Sequence, residues 1–111
     1  MSSSHRYYRV GPSFWSDPAV VALSDDGRLL ALYLLTCPHR TSEGLFRLPK
    51  AYATADLQWS MERLAEPFGQ LLANGFIEYD VDAQVCLIVA ALKWQAPVNE
   101  NVAKAAVARL A

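Results

Sequence analysis

The sequence predicts an α+β domain that is mainly helical. Two serines, Ser24 and Ser60, each precede a stretch with helical character, which is where helix N-caps are placed. Two β-prone runs joined by a short polar segment lie between residues 76 and 89, a pattern typical of a hairpin. The chain has 111 residues, of which 53% are apolar, enough to bury one core without disulfides. We therefore expect one compact domain.

The first elements are a β-prone stretch and two helices. The stretch RYYRV ends at Gly11, and Asp17 precedes a proline at a permitted first-turn position, which predicts a short helix over about 18–23. Ser24 caps the second helix, whose first turn is acidic, as the helix dipole favours. That helix, RLLALYLLTC, is apolar on nearly every face. It is either a core helix, the favoured alternative, or part of a subunit interface.

A strand and two further helices follow. GLFRL alternates apolar and polar residues and predicts a short strand, and Pro49 starts the helix KAYATADL. Inward positions on and before this helix are Leu48, Tyr52 and Leu57. Ser60 caps the next helix, in which one buried stripe at helical spacing is predicted, formed by Met61, Leu64, Phe68, Leu71 and Leu72. Pro67 is expected to bend this helix, and the Asn74-Gly75 pair to end it.

The last third of the chain predicts a hairpin and a C-terminal helix. The runs FIEYD and VCLIVAAL form the hairpin, with VDAQ between them. After Pro97 the chain restarts as a helix capped by Asn99, with Val102, Ala106 and Leu110 on one side. The chain stops inside this helix, so we expect it to continue into a further region.

Helix, strand, helix, turn, helix and a two-stranded hairpin is the element order of a winged helix. The prediction is therefore a winged helix-turn-helix domain over residues 1–97, with extra N- and C-terminal elements. The helix-turn-helix covers about 49–74 and the wing about 76–89, and residues 98–111 form the C-terminal helix.

Composition disfavours several classes of function. The start, MSSSHRYYRV, lacks the apolar segment of a signal peptide, and the longest apolar run, LLALYLL, is too short to span a membrane. Cys37 and Cys86 are far apart without a CxxC spacing, which predicts reduced thiols and a cytoplasmic setting. A metal site built from these cysteines with His5 and His39 has no recognised ligand spacing. No phosphate-binding glycine loop or nucleophile motif is present in the sequence, so we predict neither a cofactor nor an enzyme.

Several stretches together resemble a known family. They are RYYRVGPSFWSDPAVVALSDDGRLLALYLLTCPH, GLFRLPKAYATADLQWS, LLANGFIEYD and LKWQAPVNEN. They look like the N-terminal domain of phage and prophage replication-initiation proteins and are similar to the DnaD-like primosome proteins. The resemblance implies a winged-helix module that combines DNA association, self-assembly and recruitment of a helicase-loading partner, without catalysis.

DNA binding is the first functional hypothesis. A recognition helix presents its N-terminal residues to base edges, and cations on the preceding loop and strand contact phosphates. Ser60 and nearby backbone N–H groups are candidates for holding a phosphate, and Arg6 and Arg9 for an N-terminal arm. The predicted DNA-binding residues are Arg40, Arg47, Lys50, Gln58, Trp59, Ser60, Arg63 and Gln70. Of the aromatic residues, Trp15, Tyr33, Phe46, Phe68 and Phe76 are assigned to the core. Trp59 also fits the core best, and it is the one aromatic residue that we consider for exposure and stacking.

Charge disfavours this hypothesis and motivates a second one. The net charge is −1, the recognition helix carries Glu62 and Glu66, and the wing tip carries Asp80 and Asp82. Such carboxylates repel a phosphate backbone. The alternative is a protein–protein interaction or oligomerisation module on the same scaffold, which associates with itself or recruits a host replication protein and has no membrane partner.

Overall fold

The computed structural model describes residues 8–89. In chain order the elements are a 3-10 helix at Pro12–Ser16, α1 at Pro18–Val21, α2 at Asp25–Thr36, β1 at Leu45–Arg47, α3 at Lys50–Leu57, α4 at Met61–Ala73, β2 at Ile77–Asp80 and β3 at Val85–Ile88. The predicted α+β, mainly helical class is confirmed for these residues. The predicted helix over 98–111 and the candidates His5 and Arg6 lie outside the described residues.

Three helices begin at the side-chain caps that the sequence predicts. The carboxylate of Asp17 accepts from the Ala19 N–H at 2.9 Å, the hydroxyl of Ser24 accepts from the Gly27 N–H at 3.0 Å, and the hydroxyl of Ser60 accepts from the Arg63 N–H at 3.1 Å. Each cap satisfies an N–H group that has no partner inside its helix. Local sequence therefore determines where α1, α2 and α4 start.

Two residues with left-handed backbone set the ends of α3 and α4. Gln58 follows α3 with φ 59° and ψ 43°, and the Trp59 N–H donates back to the Thr54 carbonyl at 3.0 Å. Gly75 follows α4 with φ 79°. Beyond it, the Phe76 N–H donates to the Leu71 carbonyl at 3.0 Å, which is the bonding of a Schellman stop. The predicted Asn74-Gly75 stop is confirmed.

The strands form an antiparallel sheet in the order β1–β3–β2. Cys86, in the central strand, lies opposite Phe46 of β1 and Tyr79 of β2. In the turn after β2, the Asp80 carboxylate accepts from the backbone N–H groups of Asp82 and Ala83 at 3.0 and 3.1 Å. This side chain stabilises its own turn, as Asp often does. The predicted hairpin is confirmed.

The core lies between the α2–α4 pair and the sheet. Leu30 and Leu34 of α2 are fully buried, as is Leu71 of α4. The favoured prediction that α2 is a core helix is confirmed for these positions, although Leu29 is exposed. Phe46, Phe68 and Phe76 are buried as predicted, and Tyr33 is half-buried.

The buried stripe of α4 is narrower than predicted. Leu64, Phe68 and Leu71 are buried, but Met61 is 53% exposed and Leu72 is also exposed. With about 100° per residue, positions 61 and 72 lie within about 20° of each other at the edge of the stripe. This position at the edge explains why the predicted burial of both residues is wrong. Pro67 is buried inside α4, which continues through it to Ala73.

Three other expectations also fail. Trp15 is 60% exposed because Phe14, its neighbour in the 3-10 helix, occupies the core position, with the two ring centroids 4.8 Å apart. Tyr52 is exposed, whereas Leu48 is buried as predicted. Residues 8–10, the described part of the β-prone stretch, belong to no strand.

No helix within residues 8–89 is long and apolar enough to cross a bilayer.

Candidate nucleic-acid interface

Arg40, which the sequence predicts to contact DNA, is a buried residue with a structural role. Its side chain is 2% exposed. The guanidinium donates to the carbonyls of Leu35 at 2.9 Å, Thr41 at 2.8 Å and Ser42 at 3.2 Å. It also lies 4.1 Å from the ring centroid of Tyr8. Carbonyls in the last turn of a helix have no partner inside that helix, so Arg40 satisfies the end of α2 and the loop after it.

The ring of Trp59 is also buried. It is 8% exposed and belongs to the core cluster, so the favoured prediction that Trp59 is a core residue is confirmed. Its neighbours in the turn remain at the surface: Gln58 is exposed, and Ser60 is exposed with its oxygen accepting the capping hydrogen bond. The turn between α3 and α4 therefore offers polar side chains but no free aromatic ring.

Arg63 is bound to a carboxylate from another helix. Its Nε and Nη2 atoms lie 2.9 and 3.0 Å from the two carboxylate oxygens of Asp26, in α2. Its guanidinium also stacks 4.5 Å from the Trp59 ring centroid. The hydrogen bond from Arg63 lowers the pKa of Asp26, and the same bond raises the pKa of Arg63. The only cation of α4 is thus paired before any ligand arrives.

Gln70 faces the same way as Arg63, towards the start of α2. Its Oε1 accepts from the backbone N–H and the hydroxyl of Ser24 at 3.2 and 3.0 Å. Gly27 permits this approach, because a Cβ there would lie 2.5 Å from Oε1 of Gln70. Arg63 and Gln70, both among the predicted DNA-binding residues, therefore bind α2 through their side chains.

Arg47 and Lys50 are the predicted cations that keep their charge available. Arg47 donates to the Tyr52 hydroxyl at 3.1 Å and to Oε1 of Gln84 at 3.4 Å. Lys50 Nζ lies 4.8 Å from the Phe68 ring centroid and 5.9 Å from that of Tyr79. Their partners are neutral, and neither cation forms an ion pair within residues 8–89. They form a small positive surface where β1 meets α3.

The solvent face of α4 is acidic and apolar. We define the α4 face as the exposed residues Met61, Glu62, Ala65, Glu66, Gly69, Leu72 and Ala73. Neither Glu62 nor Glu66 forms an ion pair with a residue between 8 and 89. A recognition helix reading DNA would present this face, or its N-terminal part, to the major groove. Its charge has the wrong sign for that contact.

The tip of the hairpin repeats this acidic character. Asp82 and Val81 are exposed, and Asp80 uses its carboxylate in the turn. Residues 80–84 contain no lysine or arginine. The hairpin tip therefore supplies no cation for a phosphate backbone.

A polar cluster that the sequence did not reveal joins α2, the following loop and α3. The Tyr33 hydroxyl donates to Oδ2 of Asp56 at 2.6 Å, and Nε2 of His39 lies 2.8 Å from the same oxygen. The hydrogen bond from Tyr33, followed by that from His39, lowers the pKa of Asp56. Burial raises the pKa of Tyr33. Tyr33 and Asp56 are 23 residues apart, so no short sequence pattern predicts their contact.

Thiol and metal chemistry finds no support within residues 8–89. Burial raises the pKa of Cys86 to about 12 and also raises that of Cys37, so both thiols stay protonated and unreactive at neutral pH. No cluster of His, Cys, Asp or Glu that could hold a metal ion occurs in this part of the chain. What the described surface offers is charge and apolar area for binding.

Comparison with protein-family models, curated proteins and solved structures found no match for the chain.

Proposed function

We propose that this chain is a winged-helix module of the replication-initiation type that acts by protein–protein interaction. The winged-helix assignment is supported by the order α2, β1, α3, α4, β2, β3 and by the sheet order β1–β3–β2. Support also comes from the short turn between α3 and α4 and from the hairpin directly after α4. The resemblance of the sequence to phage and prophage replication-initiation proteins motivates the replication context.

The observation that carries the interaction proposal is the charge of the α4 face. Binding of a winged helix to DNA depends mainly on lysine and arginine close to phosphates. On α4, Glu62 and Glu66 are exposed, whereas Arg63 is paired with Asp26. The whole chain has ten Lys/Arg against eleven Asp/Glu, a net charge of −1, so it lacks the excess of cations that attracts a polyanion at long range. A protein partner has no such requirement.

In this role the scaffold presents a rigid helix to another protein. α4 is held by α2 through the Arg63–Asp26 and Gln70–Ser24 contacts, and by its buried residues. A helix fixed on its inner side loses little conformational freedom when its outer side is covered. The partner class that fits the resemblance is a helicase-loading or other replication protein, or further copies of this chain.

DNA binding remains the second candidate because of one observation. Arg47, at the end of β1, and Lys50, at the start of α3, have neutral partners and are three residues apart in the chain. Two such cations support a weak contact with a phosphate strand. Neutralising two phosphates corresponds to a slope of about −1.8 in a plot of log affinity against log salt concentration.

A DNA titration of the full chain distinguishes these candidates. Fluorescence anisotropy with labelled duplex and single-stranded DNA is expected to show no binding tighter than about 10⁻⁴ M at physiological salt. Any weaker binding at low salt should fall with the double substitution Arg47→Ala and Lys50→Ala. It should persist with Arg28→Ala, which removes a cation already paired with Asp25. Tight binding that depends on Arg47 and Lys50 would favour the DNA function over the interaction function.

A further inference from the structure

The α4 face is not covered by any described element of the domain. α4 packs against α2, α3 and β2 through its other sides. Met61 is 53% exposed and Leu72 is also exposed, although both are large apolar residues. They lie three helical turns apart, about 16 Å along the axis, and Ala65 lies between them along the axis, about 20° from Leu72 in projection. The face is therefore an apolar strip long enough to contact a helix.

No contact within residues 8–89 requires a glycine at position 69, in the middle of this face. Gly69 is exposed, it is helical, and apart from its chain neighbours and the backbone of its own helix a Cβ added there would meet no described atom within 4 Å. Glycine inside an exposed helix lowers stability relative to alanine. A residue that costs stability without an intramolecular gain is expected at functional sites. Because Gly69 has no side chain, the backbone of a second helix can approach α4 closely at this position.

The charge of the α4 face indicates which kind of partner would bind there. Glu62 and Glu66 lie one turn apart along the polar edge of the face, and the face carries no cation of its own. A second copy of this chain bound through its own α4 face would bring the same two carboxylates, and nucleic acid would bring phosphates. A helix with lysine or arginine beside an apolar stripe complements both the charge and the apolar strip.

We propose that the α4 face binds an amphipathic α-helix of a protein partner, with an apolar stripe on Met61, Ala65, Gly69 and Leu72 and basic residues facing Glu62 and Glu66. This inference rests on the proposed interaction function and names its site and partner class.

Synthetic peptides provide a direct probe. Three peptides of about 18 residues, or five helical turns, share an apolar stripe of leucine and alanine. The first has lysine flanking the stripe, the second has glutamate in the same places, and the third has the first composition in scrambled order. Each is titrated into the isotope-labelled full chain, with affinity followed by anisotropy and location by amide shifts. We expect the lysine peptide to bind with its largest shifts in residues 61–73. The other two peptides should bind at least about tenfold more weakly.

Substitutions on the α4 face test the site itself. Gly69→Leu fills the open space, so it should leave the thermal midpoint unchanged or higher while weakening the lysine peptide by about tenfold or more. The pair Glu62→Gln and Glu66→Gln should weaken it by about fivefold at low salt, with a smaller effect at high salt. Glu43→Gln is the matched control, because Glu43 is an exposed carboxylate in the loop before β1. It should leave the affinity unchanged.

The outcomes separate this inference from the proposed function. Three results overturn the inference alone: no binding of the lysine peptide, shifts located outside residues 61–73, or full affinity in both sets of variants. If duplex DNA shifts residues 61–73 and displaces the lysine peptide, the proposed interaction function falls together with the inference.

Discussion

At the scale of single residues, Arg40 and Arg63 are cations that the domain uses internally. Arg40 donates to backbone carbonyls at the end of α2, and Arg63 forms a two-point contact with Asp26. The sequence predicts that both contact DNA, because it shows that they are charged but not which group each of them binds. In each case the partner is a group that a folded chain has to satisfy.

Substitution of Arg40 is expected to destabilise the fold. Arg40→Met keeps much of the side-chain volume but leaves the Leu35, Thr41 and Ser42 carbonyls without this donor. The expected loss is about 3 kcal/mol in the free energy of unfolding, measured by urea denaturation. Arg47→Met, at an exposed position, should change stability by less than about 0.5 kcal/mol. Equal stability of the two variants would contradict the structural role of Arg40.

The Tyr33–Asp56–His39 cluster predicts how stability responds to acid. The pKa of Asp56 is lowered in the folded state by the hydrogen bonds from Tyr33 and His39. A lowered pKa gives a contribution that is complete above the unfolded pKa of about 4 and is lost as the pH falls through the folded value. We therefore expect the free energy of unfolding to decline below about pH 4.

The variant Asp56→Asn isolates this contribution. It should make the decline in acid shallower in urea denaturation at a series of pH values. Part of the decline should remain, because the pKa of Asp26 is also lowered, by Arg63. An unchanged pH profile in Asp56→Asn would show that the cluster does not contribute to the acid response.

At the scale of elements, the helix ends are encoded in a few neighbouring residues. The N-caps Asp17, Ser24 and Ser60 and the Gly75 stop all lie where the sequence predicts them. The end of α3 is different, because Gln58 adopts the left-handed conformation that glycine usually occupies. This residue sets the turn between α3 and α4.

Gln58→Gly is expected to stabilise the domain by about 0.5 to 1 kcal/mol, because glycine avoids the strain of a left-handed backbone at φ 59°. Thermal unfolding measures this as a higher midpoint. Ala55→Gly, inside α3, is the matched control and should lower stability by about 1 kcal/mol. A lower midpoint for Gln58→Gly would mean that the glutamine side chain makes a contribution larger than the strain.

At the scale of the whole molecule, charge and fold support different functions. The element order and sheet topology support a scaffold that often binds DNA. The net charge of −1 supplies no excess of cations, and the carboxylates of the α4 face oppose binding to a polyanion. Because a fold alone does not define a function, our proposal of a protein partner rests on the charge of the surface.

The sequence by itself determined the elements whose signals are local. Helix caps, the Schellman stop, the hairpin and the apolar positions Leu64, Phe68 and Leu71 depend on backbone hydrogen bonds and side-chain spacing over a few residues. Those interactions exist in any chain that folds locally in this way.

Only the tertiary structure decided which polar side chains are free. Arg63 meets Asp26 across 37 residues, and Gln70 meets Ser24 across 46 residues, because α4 packs on the start of α2. The relative position of two helices follows from how their whole apolar surfaces fit together. No short pattern in the sequence contains that information, and it is the reason why Arg63 and Gln70, two of the predicted DNA-binding residues, connect α4 to α2.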